Sequence, residues 1–272
     1  MKRLAILFSL LITLISISAC SSSEATSTVK VGISGSDTTI WDYVAEKAKE
    51  EGINVEIVRF SDYVQPNLAL AEGEIDANAF QTVSYFDAFI KEHDLDLTPI
   101  ATTVIAPMGL YSEKHGTPEH IPKGGTIALA KEATNMGRGL SLLQNAGLIK
   151  LAEDFDGNGA LDKIIDNPKN LQFELLVAGQ TPRVLPDVDG SIINNGIAVD
   201  AGLSPLEDAI YHEDETATAY INIIAVQEKN KDDHVLTKLA EIYQTEDVAK
   251  FIERERDGNS IPTFVPLSEI GY

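Results

Sequence analysis

The sequence predicts an α/β protein made of two lobes that are hinged over a cleft. Short apolar strands alternate with amphipathic helices throughout the chain, which is typical of an α/β fold. Two apolar segments, near Val104–Tyr111 and Ala219–Val226, are predicted to be strands that cross between the lobes. We therefore expect the first lobe at residues 30–106 plus 226–272 and the second lobe at residues 107–225.

The amino-acid composition indicates a globular protein and argues against some kinds of partner. The 272 residues are 44% hydrophobic with few aromatics, which fits a soluble globular protein of one or two domains. The formal net charge of −21 at pH 7 argues against binding to nucleic acid, because neutralising phosphates requires lysine and arginine. An acidic body also gains nothing from an anionic lipid surface. The chain has one cysteine, so an internal disulfide is excluded.

The amino terminus has the pattern of a signal peptide, predicted at residues 1–19. Two basic residues precede an apolar core, and Ile17–Cys20 reads Ile-Ser-Ala-Cys, which resembles a bacterial lipobox. We expect Cys20 to be lipidated and residues 20–29, rich in Ser and Thr, to tether the body to the cell membrane, facing away from the cytoplasm. The alternative is a plain secreted protein whose signal peptide ends near a cysteine.

The individual elements follow from apolar spacing and from Gly, Pro and cap residues. In the first lobe, strands are predicted at Val29–Ile33, Val55–Phe60, Ile75–Phe80 and Leu97–Ile105, and helices around Trp41–Ala48, Pro66–Glu72 and Tyr85–Ile90. In the second lobe, strands are predicted at Thr126–Ala130 and Asp189–Asn194, with helices at Met136–Asn145 and ending at Gly202. The chain returns through Tyr220–Val226 to helices over Val235–Ile242 and after Thr245. Ser84 and Asn135 are expected to cap the helices that follow them.

Polar and aromatic side chains gather where the third predicted strand ends. Asn78, Phe80, Gln81, Thr82 and Tyr85 lie at its carboxyl end, and in open α/β sheets small ligands bind in such a crevice. An ordinary polar turn after a buried strand would have a similar composition. The segment is therefore a candidate site whose ligand the residue types alone do not identify.

Arg138 is expected in the first turn of the helix Met136–Asn145. Helix N-termini present free N–H groups and a partial positive charge, so a guanidinium placed there can bind a carboxylate through a bidentate fork. A cation at this end of a helix is unfavourable unless an anion meets it. The alternative is an exposed or internally paired arginine.

No pattern identifies a catalytic site or a strong metal site. Asp154, Asp156 and Asn158 have the spacing of a calcium loop, but the closing acidic residue is absent because the twelfth position is Ile165. An Asp/Gly surface turn has the same composition, so these residues are a weak metal candidate. The five histidines are scattered, and His212–Glu215 lacks the second histidine of a zinc-protease helix. We therefore expect no enzyme activity and no cofactor.

Five segments of the chain resemble one protein family. They read FSDYVQPN, GEIDANAFQ, APMGLYSEKH, TNMGRGLSLLQNAGLIKL and DNPKNLQFELL, and they keep their order between about Val29 and Phe264. The chain resembles the NlpA or MetQ family of methionine-binding lipoproteins, which feed ABC importers. This resemblance implies a periplasmic-binding-protein-like fold of type II. It also implies a receptor that captures methionine or a close analogue and delivers it to an ABC transporter permease and ATPase.

The resemblance implies roles for particular residues. Arg138 matches the arginine that binds the ligand carboxylate, and Asn194 and Asn222 match amides that receive the ligand's amino and carboxylate groups. Gln81 and Asn135 are further candidate ligand contacts. The apolar wall around the thioether is matched by Tyr63, Phe80 and Tyr85.

The chain departs from the family pattern at two places. Where the family commonly reads FQH-x-PY, Thr82 replaces the histidine and Ser84 the proline. Where it often reads NTNYA, this chain has Gly196 and Ile197 before the alanine. The grip on an α-amino acid is retained but the side-chain wall is altered, which leaves room for D-methionine, a methionine-containing dipeptide or another small amino acid. Alternatives of other classes are a surface adhesin, a hydrolase and a metal binder.

Overall fold

The computed structural model describes residues 27–159, 161–213 and 220–272. The predicted signal peptide, Cys20 and the first part of the predicted tether lie outside the described residues. The end of the tether is corrected, because residues 27–29 already belong to a strand that pairs along its whole length with the next one. Within the described part of the chain, no helix has both the length and the apolar character needed to span a bilayer.

Strands and helices alternate along the described chain. The strands are β1 (Ser27–Ser34), β2 (Ile53–Phe60), β3 (Ala77–Thr82), β4 (Leu97–Ile105), β5 (Gly109–Tyr111), β6 (Thr126–Ala130), β7 (Lys150–Leu151), β8 (Ile164–Asp166), β9 (Gln172–Leu176), β10 (Gly190–Ile193), β11 (Ala209–His212), β12 (Ile221–Gln227) and β13 (Ile261–Pro262). The α-helices are α1 (Thr39–Glu50), α2 (Gln65–Glu72), α3 (Val83–His93), α4 (Ala133–Asn145), α5 (Asn195–Asp200), α6 (His234–Tyr243) and α7 (Glu246–Arg256).

The first lobe is built on a six-stranded sheet with the order β13-β4-β12-β3-β1-β2. β1 runs parallel to β2 and β3, whereas β12 runs antiparallel between β3 and β4. Ile224 and Val226 of β12 join a core with α1, α6 and α7, and Ile223 and Ala225 join a core with α2 and α3. Because alternate residues of a strand point to opposite faces, helices cover both faces of this sheet.

The second lobe is built on a five-stranded sheet with the order β11-β5-β10-β6-β9. β6 runs parallel to β9 and β10, and β5 runs antiparallel to β10 and β11. Leu140, Leu142 and Leu143 of α4 are buried in one core with Ile127 and Leu129 of β6. In the two lobes, β3, β6 and β10 each lead at their carboxyl ends into a helix, which is where ligands bind in sheets of this kind.

The chain passes between the two sheets twice. The first crossing is the short segment between Ile105 at the end of β4 and Gly109 at the start of β5. The second lies between His212 and Ile221, and residues 214–219 of it are outside the described residues. β12 pairs with β3 and β4 from Ile221 onwards, so the sheets divide the chain before the predicted boundary at residue 226.

Two predicted helix starts are wrong. Thr82, not Ser84, caps α3, because the Thr82 hydroxyl oxygen accepts a hydrogen bond from the Tyr85 backbone N–H at 3.3 Å. α4 begins at Ala133 with Glu132 as its N-cap residue, so Asn135 lies inside the first turn instead of capping it. Arg138 is therefore the sixth residue of α4 and lies in its second turn, one turn later than predicted.

The two lobes are also joined by hydrogen bonds away from the two crossings in sequence. The Asp200 carboxylate, at the end of α5, accepts a hydrogen bond from Ser36 N at 3.1 Å and one from Ser36 Oγ at 2.7 Å. Gly35 is required in this turn, because its φ is +99° and an added Cβ would lie 2.6 Å from Asp200 Oδ2. Asn195 Nδ2 also donates to the carbonyl oxygen of Asn259 at 2.5 Å.

Replacing Asp200 with alanine should favour separation of the lobes. At this exposed position we expect the lost hydrogen bonds to cost about 1 kcal/mol, which shifts the ratio of closed to open molecules about fivefold. The radius of gyration of the unliganded variant, measured by small-angle X-ray scattering, should therefore exceed that of the wild type. Asp166→Ala removes an exposed carboxylate from the same lobe and is the matched control. Equal radii for the two variants would show that Asp200 does not hold the lobes together.

Candidate functional site

A cavity lies between the lobes at the carboxyl ends of β3, β6 and β10. About 420 Å³ of this space, including the part open to solvent, is free of protein atoms. Its walls are formed by Tyr63, Phe80, Gln81, Thr82, Tyr85, Ala106, Asn135, Arg138, Asn194, Asn195, Gly196 and Asn222. These residues include all eight candidate ligand contacts, and they come from both lobes. The structure thus brings the candidates to one place, and their roles toward a ligand stay predictions.

Three aromatic rings form a wall on the first-lobe side of the cavity. The ring centroids of Tyr63 and Phe80 are 5.8 Å apart, and the Tyr85 ring meets both edge-on at 6.1 and 6.3 Å. The Tyr85 hydroxyl donates to the Tyr63 backbone carbonyl oxygen at 2.9 Å, which holds the Tyr85 ring against the segment that carries Tyr63. Burial raises the pKa of both tyrosine hydroxyls, so both are neutral at pH 7. The wall therefore suits an apolar or thioether side chain.

Three asparagine side chains surround the polar end of the cavity. Asn194 Nδ2 donates to Asn135 Oδ1 at 3.0 Å, and Asn222 Nδ2 donates to the carbonyl oxygen of Val104 at 3.2 Å. Within the described residues, Asn194 Oδ1 and Asn222 Oδ1 accept no hydrogen bond and Asn135 Nδ2 donates none. The polar end of the site therefore offers two amide oxygens as acceptors and an unused NH2 group on Asn135 as a donor.

Arg138 is held by the protein itself. Its Nε and Nη2 atoms donate to the two carboxylate oxygens of Glu213 at 2.8 and 2.5 Å, and Nη2 also donates to the Ala106 carbonyl oxygen at 2.9 Å. The two side chains are 5% and 8% exposed, and the Tyr220 ring lies 4.3 Å from the centre of the guanidinium. Glu213 thus occupies the Nε–Nη2 edge, so this edge is not available for the predicted fork onto a ligand carboxylate. The alternative, an internally paired arginine, is what the structure shows at the Nε–Nη2 edge.

One nitrogen of Arg138 is left for other partners. A guanidinium carries five N–H donors, and the contacts to Glu213 and Ala106 use the one on Nε and both on Nη2. The two N–H groups of Nη1 donate to no residue that the structure describes, and Arg138 lines the cavity. A ligand carboxylate can thus be bound through Nη1 alone.

Glu213 was not among the predicted site residues. Its stretch, His212–Glu215, was considered only for the zinc motif that it lacks. The signal in the sequence is indirect, because a buried arginine requires an anionic partner and Glu213 lies within the second crossing, directly after His212. Ala106 and Asn195 also line the cavity without having been predicted.

Gln81 lines the cavity, but its amide group is turned toward the protein interior. Gln81 Nε2 donates to Asn67 Oδ1 at 2.7 Å and to Asn78 Oδ1 at 2.9 Å, and Asn67 Nδ2 donates to Gln81 Oε1 at 2.7 Å. Both amide hydrogens of Gln81 are thus used within this buried amide cluster of Asn67, Asn78 and Gln81. The cluster fastens the end of β3 to α2, so we expect Gln81 to position the wall instead of donating to a ligand.

The segment Asp154–Gly159 packs against the helix that carries Arg138. Asp154 Oδ2 pairs with Lys163 Nζ at 2.7 Å, and Asp156 Oδ1 accepts from Asn158 N at 3.0 Å, as in an ordinary Asp turn. A Cβ added to Gly137 of α4 would lie 1.8 Å from the carbonyl oxygen of Gly157, so the two backbones are in direct contact. In the described residues, no group of three or more His, Cys, Asp or Glu side chains is arranged to hold a metal ion. The close packing of this segment's backbone against α4 thus accounts for the glycines in the sequence that resembles a calcium loop.

Two α/β lobes connected by two crossings, with an aromatic and polar cavity between them, define a solute-binding protein. The model of the NlpA lipoprotein family matches residues 29–264, so the chain belongs to that family. The predicted family and the predicted two-lobed fold are therefore confirmed.

Individual relatives cover most of the chain. It is 38% identical over 270 residues to the uncharacterized lipoprotein YhcJ of Bacillus subtilis (strain 168), which covers 99% of this chain and 97% of that protein. It is 38% identical over 240 residues to the D-methionine-binding lipoprotein MetQ of Escherichia coli (strain K12), covering 86% and 87%. A solved structure of a nutrient-binding protein from Burkholderia cenocepacia bound to methionine matches with a TM-score of 0.84 at 40% identity, covering 87% and 100%.

Proposed function

We propose that this protein is a lipid-anchored receptor that binds methionine or a close analogue between its lobes and delivers it to an ABC importer. The proposal rests on one observation: a single cavity combines an aromatic wall with hydrogen-bond donors and acceptors that the protein leaves unused. MetQ of E. coli is named for D-methionine binding, and the Burkholderia protein binds methionine. The permease and ATPase that would receive the ligand are implied by the family.

The unused polar groups fit an α-amino acid zwitterion. The amide oxygens of Asn194 and Asn222 can accept from an ammonium group, and Asn135 Nδ2 and Arg138 Nη1 can donate to a carboxylate. The Tyr63, Phe80 and Tyr85 rings then surround the side chain, where sulfur against ring edges contributes about 0.3–1.5 kcal/mol per contact. We propose simple binding without chemical conversion. The cavity between the lobes also argues against a surface adhesin, which needs no small-molecule site.

A methionine-containing dipeptide is the second candidate ligand. Gly196 lines the cavity, and a Cβ added there would have no atom within 4 Å, so the site has unfilled space beside the asparagines. The Thr82 hydroxyl, at the position of the family histidine, caps α3 and leaves more room than an imidazole. Discrimination by a single methylene in an apolar pocket is only about 1–3 kcal/mol, so close analogues are also expected to bind.

Mass spectrometry of the compound released when the purified protein is denatured tests the ligand class directly. We expect methionine or a methionine-containing dipeptide. A thermal-shift series with L-methionine, D-methionine, glycyl-methionine and L-lysine then ranks the candidates, and lysine is the mismatched control for the aromatic wall. The proposal is contradicted if the methionine compounds raise the melting temperature no more than lysine does.

The lipid anchor is tested separately through Cys20. Changing Cys20 to serine removes the only thiol that can be acylated, so the variant should appear in the soluble extract while the wild type sediments with membranes. Ser22→Ala, in the same segment, is the matched control and should remain with the membrane. Sedimentation of Cys20→Ser with membranes at wild-type levels would contradict anchoring through this residue.

A further inference from the structure

We propose that Glu213 is a positioning residue that makes the cavity selective for zwitterionic ligands over purely anionic ones. This inference rests on the proposed function and adds a residue for which the family resemblance implied no role. Glu213 acts through Arg138 and needs no contact with the ligand.

The geometry fixes which part of Arg138 meets the ligand. Glu213 takes the Nε–Nη2 edge of the guanidinium in a bidentate pair, at 2.8 and 2.5 Å. The remaining hydrogen on Nη2 goes to the Ala106 carbonyl oxygen, and the Tyr220 ring lies against the face of the guanidinium. Glu213 and Ala106 thus hold one edge of the guanidinium, and Tyr220 covers a face. These contacts fix its orientation and leave Nη1 as the nitrogen available to a ligand in the cavity.

The pair also sets the charge of the site. Arg138 and Glu213 are 5% and 8% exposed, so their opposite charges largely cancel in surroundings that water screens weakly. A ligand that carries only a carboxylate would meet an arginine whose charge is already neutralised. A zwitterion brings its own ammonium, which the free oxygens of Asn194 and Asn222 can accept. A neutral pair beside two amide acceptors therefore favours a ligand with no net charge.

Glu213 is itself held by the first crossing between the lobes. Met108 N donates to Glu213 Oε2 at 2.8 Å, and Glu213 N donates to the carbonyl oxygen of Met108 at 3.0 Å. Glu213 thus joins the segments at both crossings and keeps the arginine in one position relative to them. Because these two hydrogen bonds restrain Glu213, its carboxylate can hold the Arg138 guanidinium in one orientation.

The experiment compares two ligands by isothermal titration calorimetry in the full-length protein. L-methionine is the zwitterion, and 4-(methylthio)butanoate is the same molecule without its ammonium group. In Glu213→Gln, the guanidinium charge is no longer balanced, so the affinity for the butanoate should rise relative to methionine. We expect the ratio of the two dissociation constants to change by at least tenfold, which corresponds to 1.4 kcal/mol. Glu207→Gln removes an exposed carboxylate from the same lobe and should leave the ratio at the wild-type value.

Each outcome decides the inference. If the role of Glu213 were merely structural, Glu213→Gln would lower the affinities for both ligands equally. An unchanged ratio of the dissociation constants in folded Glu213→Gln would therefore overturn the proposal. Glu213→Asp keeps the charge on a shorter side chain, so its ratio should stay within about threefold of the wild type even if both affinities fall. If Glu213→Gln does not fold, a tenfold change of the ratio in Glu213→Asp overturns the inference. If the wild type binds none of L-methionine, D-methionine, glycyl-methionine and the butanoate, the proposed function fails instead.

Discussion

Replacing Arg138 with methionine should abolish measurable ligand binding and destabilise the protein. Truncating one partner of a buried charge pair costs about 2–5 kcal/mol in binding, so we expect the affinity for the ligand to fall by about a hundredfold or more. The same change leaves the Glu213 carboxylate, which is 8% exposed, without its partner. Leaving a buried charge unpaired typically costs about 3–5 kcal/mol of the free energy of unfolding.

The double variant Arg138→Met with Glu213→Gln separates these two effects. Removing the unpaired charge should restore part of the free energy of unfolding, measured by urea denaturation, while ligand binding stays lost. Arg183→Met, at an exposed arginine of the same lobe, is the matched control and should change neither quantity. Wild-type affinity in Arg138→Met would contradict a role for Nη1 in binding the ligand. Equal stabilities of the single and double variants would contradict the importance of the ion pair.

Replacing Asn67 with leucine should cause the second large effect, a loss of stability in the first lobe. Asn67 is fully buried, and its side chain makes three hydrogen bonds within the amide cluster of Asn67, Asn78 and Gln81. A leucine of similar size removes the partner of one N–H of Asn78, and of one N–H and the amide oxygen of Gln81. Each unsatisfied group costs about 1–3 kcal/mol. We expect a loss of at least about 3 kcal/mol, which lowers the melting temperature by roughly 6–12 °C.

Circular dichroism during thermal unfolding measures this change. Asn145→Leu makes the same substitution at an exposed asparagine at the end of α4 and is the matched control, expected within about 0.5 kcal/mol of the wild type. A melting temperature of Asn67→Leu equal to that of the control would show that the cluster does not hold β3 to α2. Ligand affinity should fall only modestly in the folded fraction, because Gln81 positions the wall without donating to the ligand.

Much of the fold was predictable because the chain marks its elements locally. Thr245 caps α7 as expected, with its hydroxyl oxygen accepting from Val248 N, and Gly73 ends α2 with a φ of +77°. The end of β3 was placed two residues too early. Its extension to Thr82 depends on antiparallel pairing with Asn222 and Ile223, which are far away in the sequence. Such long-range pairing leaves no local signal.

The start of α4 was misjudged for a similar reason. Asparagine is a favoured N-cap residue, so Asn135 was expected to cap the helix. In the structure its side chain instead accepts a hydrogen bond at the cavity from Asn194, the N-cap residue of α5. A residue that breaks a local preference in order to face a site is typical of functional positions.

The positions of the site residues were predictable, but the bonding of Arg138 was not. Residue identity and family resemblance indicated eight of the twelve residues that line the cavity. The partner of Arg138 is 75 residues away along the chain, and only the folded structure shows which edge of the guanidinium is occupied. The edge of Arg138 that faces Glu213 is therefore not available for the predicted fork, and binding of a ligand carboxylate by Arg138 stays a prediction.

Calorimetric titration of the ligand-free protein with L-methionine tests the central claim most directly. Denaturing and refolding the protein first removes any compound bound during expression. We predict one binding site per chain, with heat that disappears in Arg138→Met and persists in Arg183→Met. A folded, ligand-free wild type that shows no heat with L-methionine, D-methionine or glycyl-methionine would contradict the account.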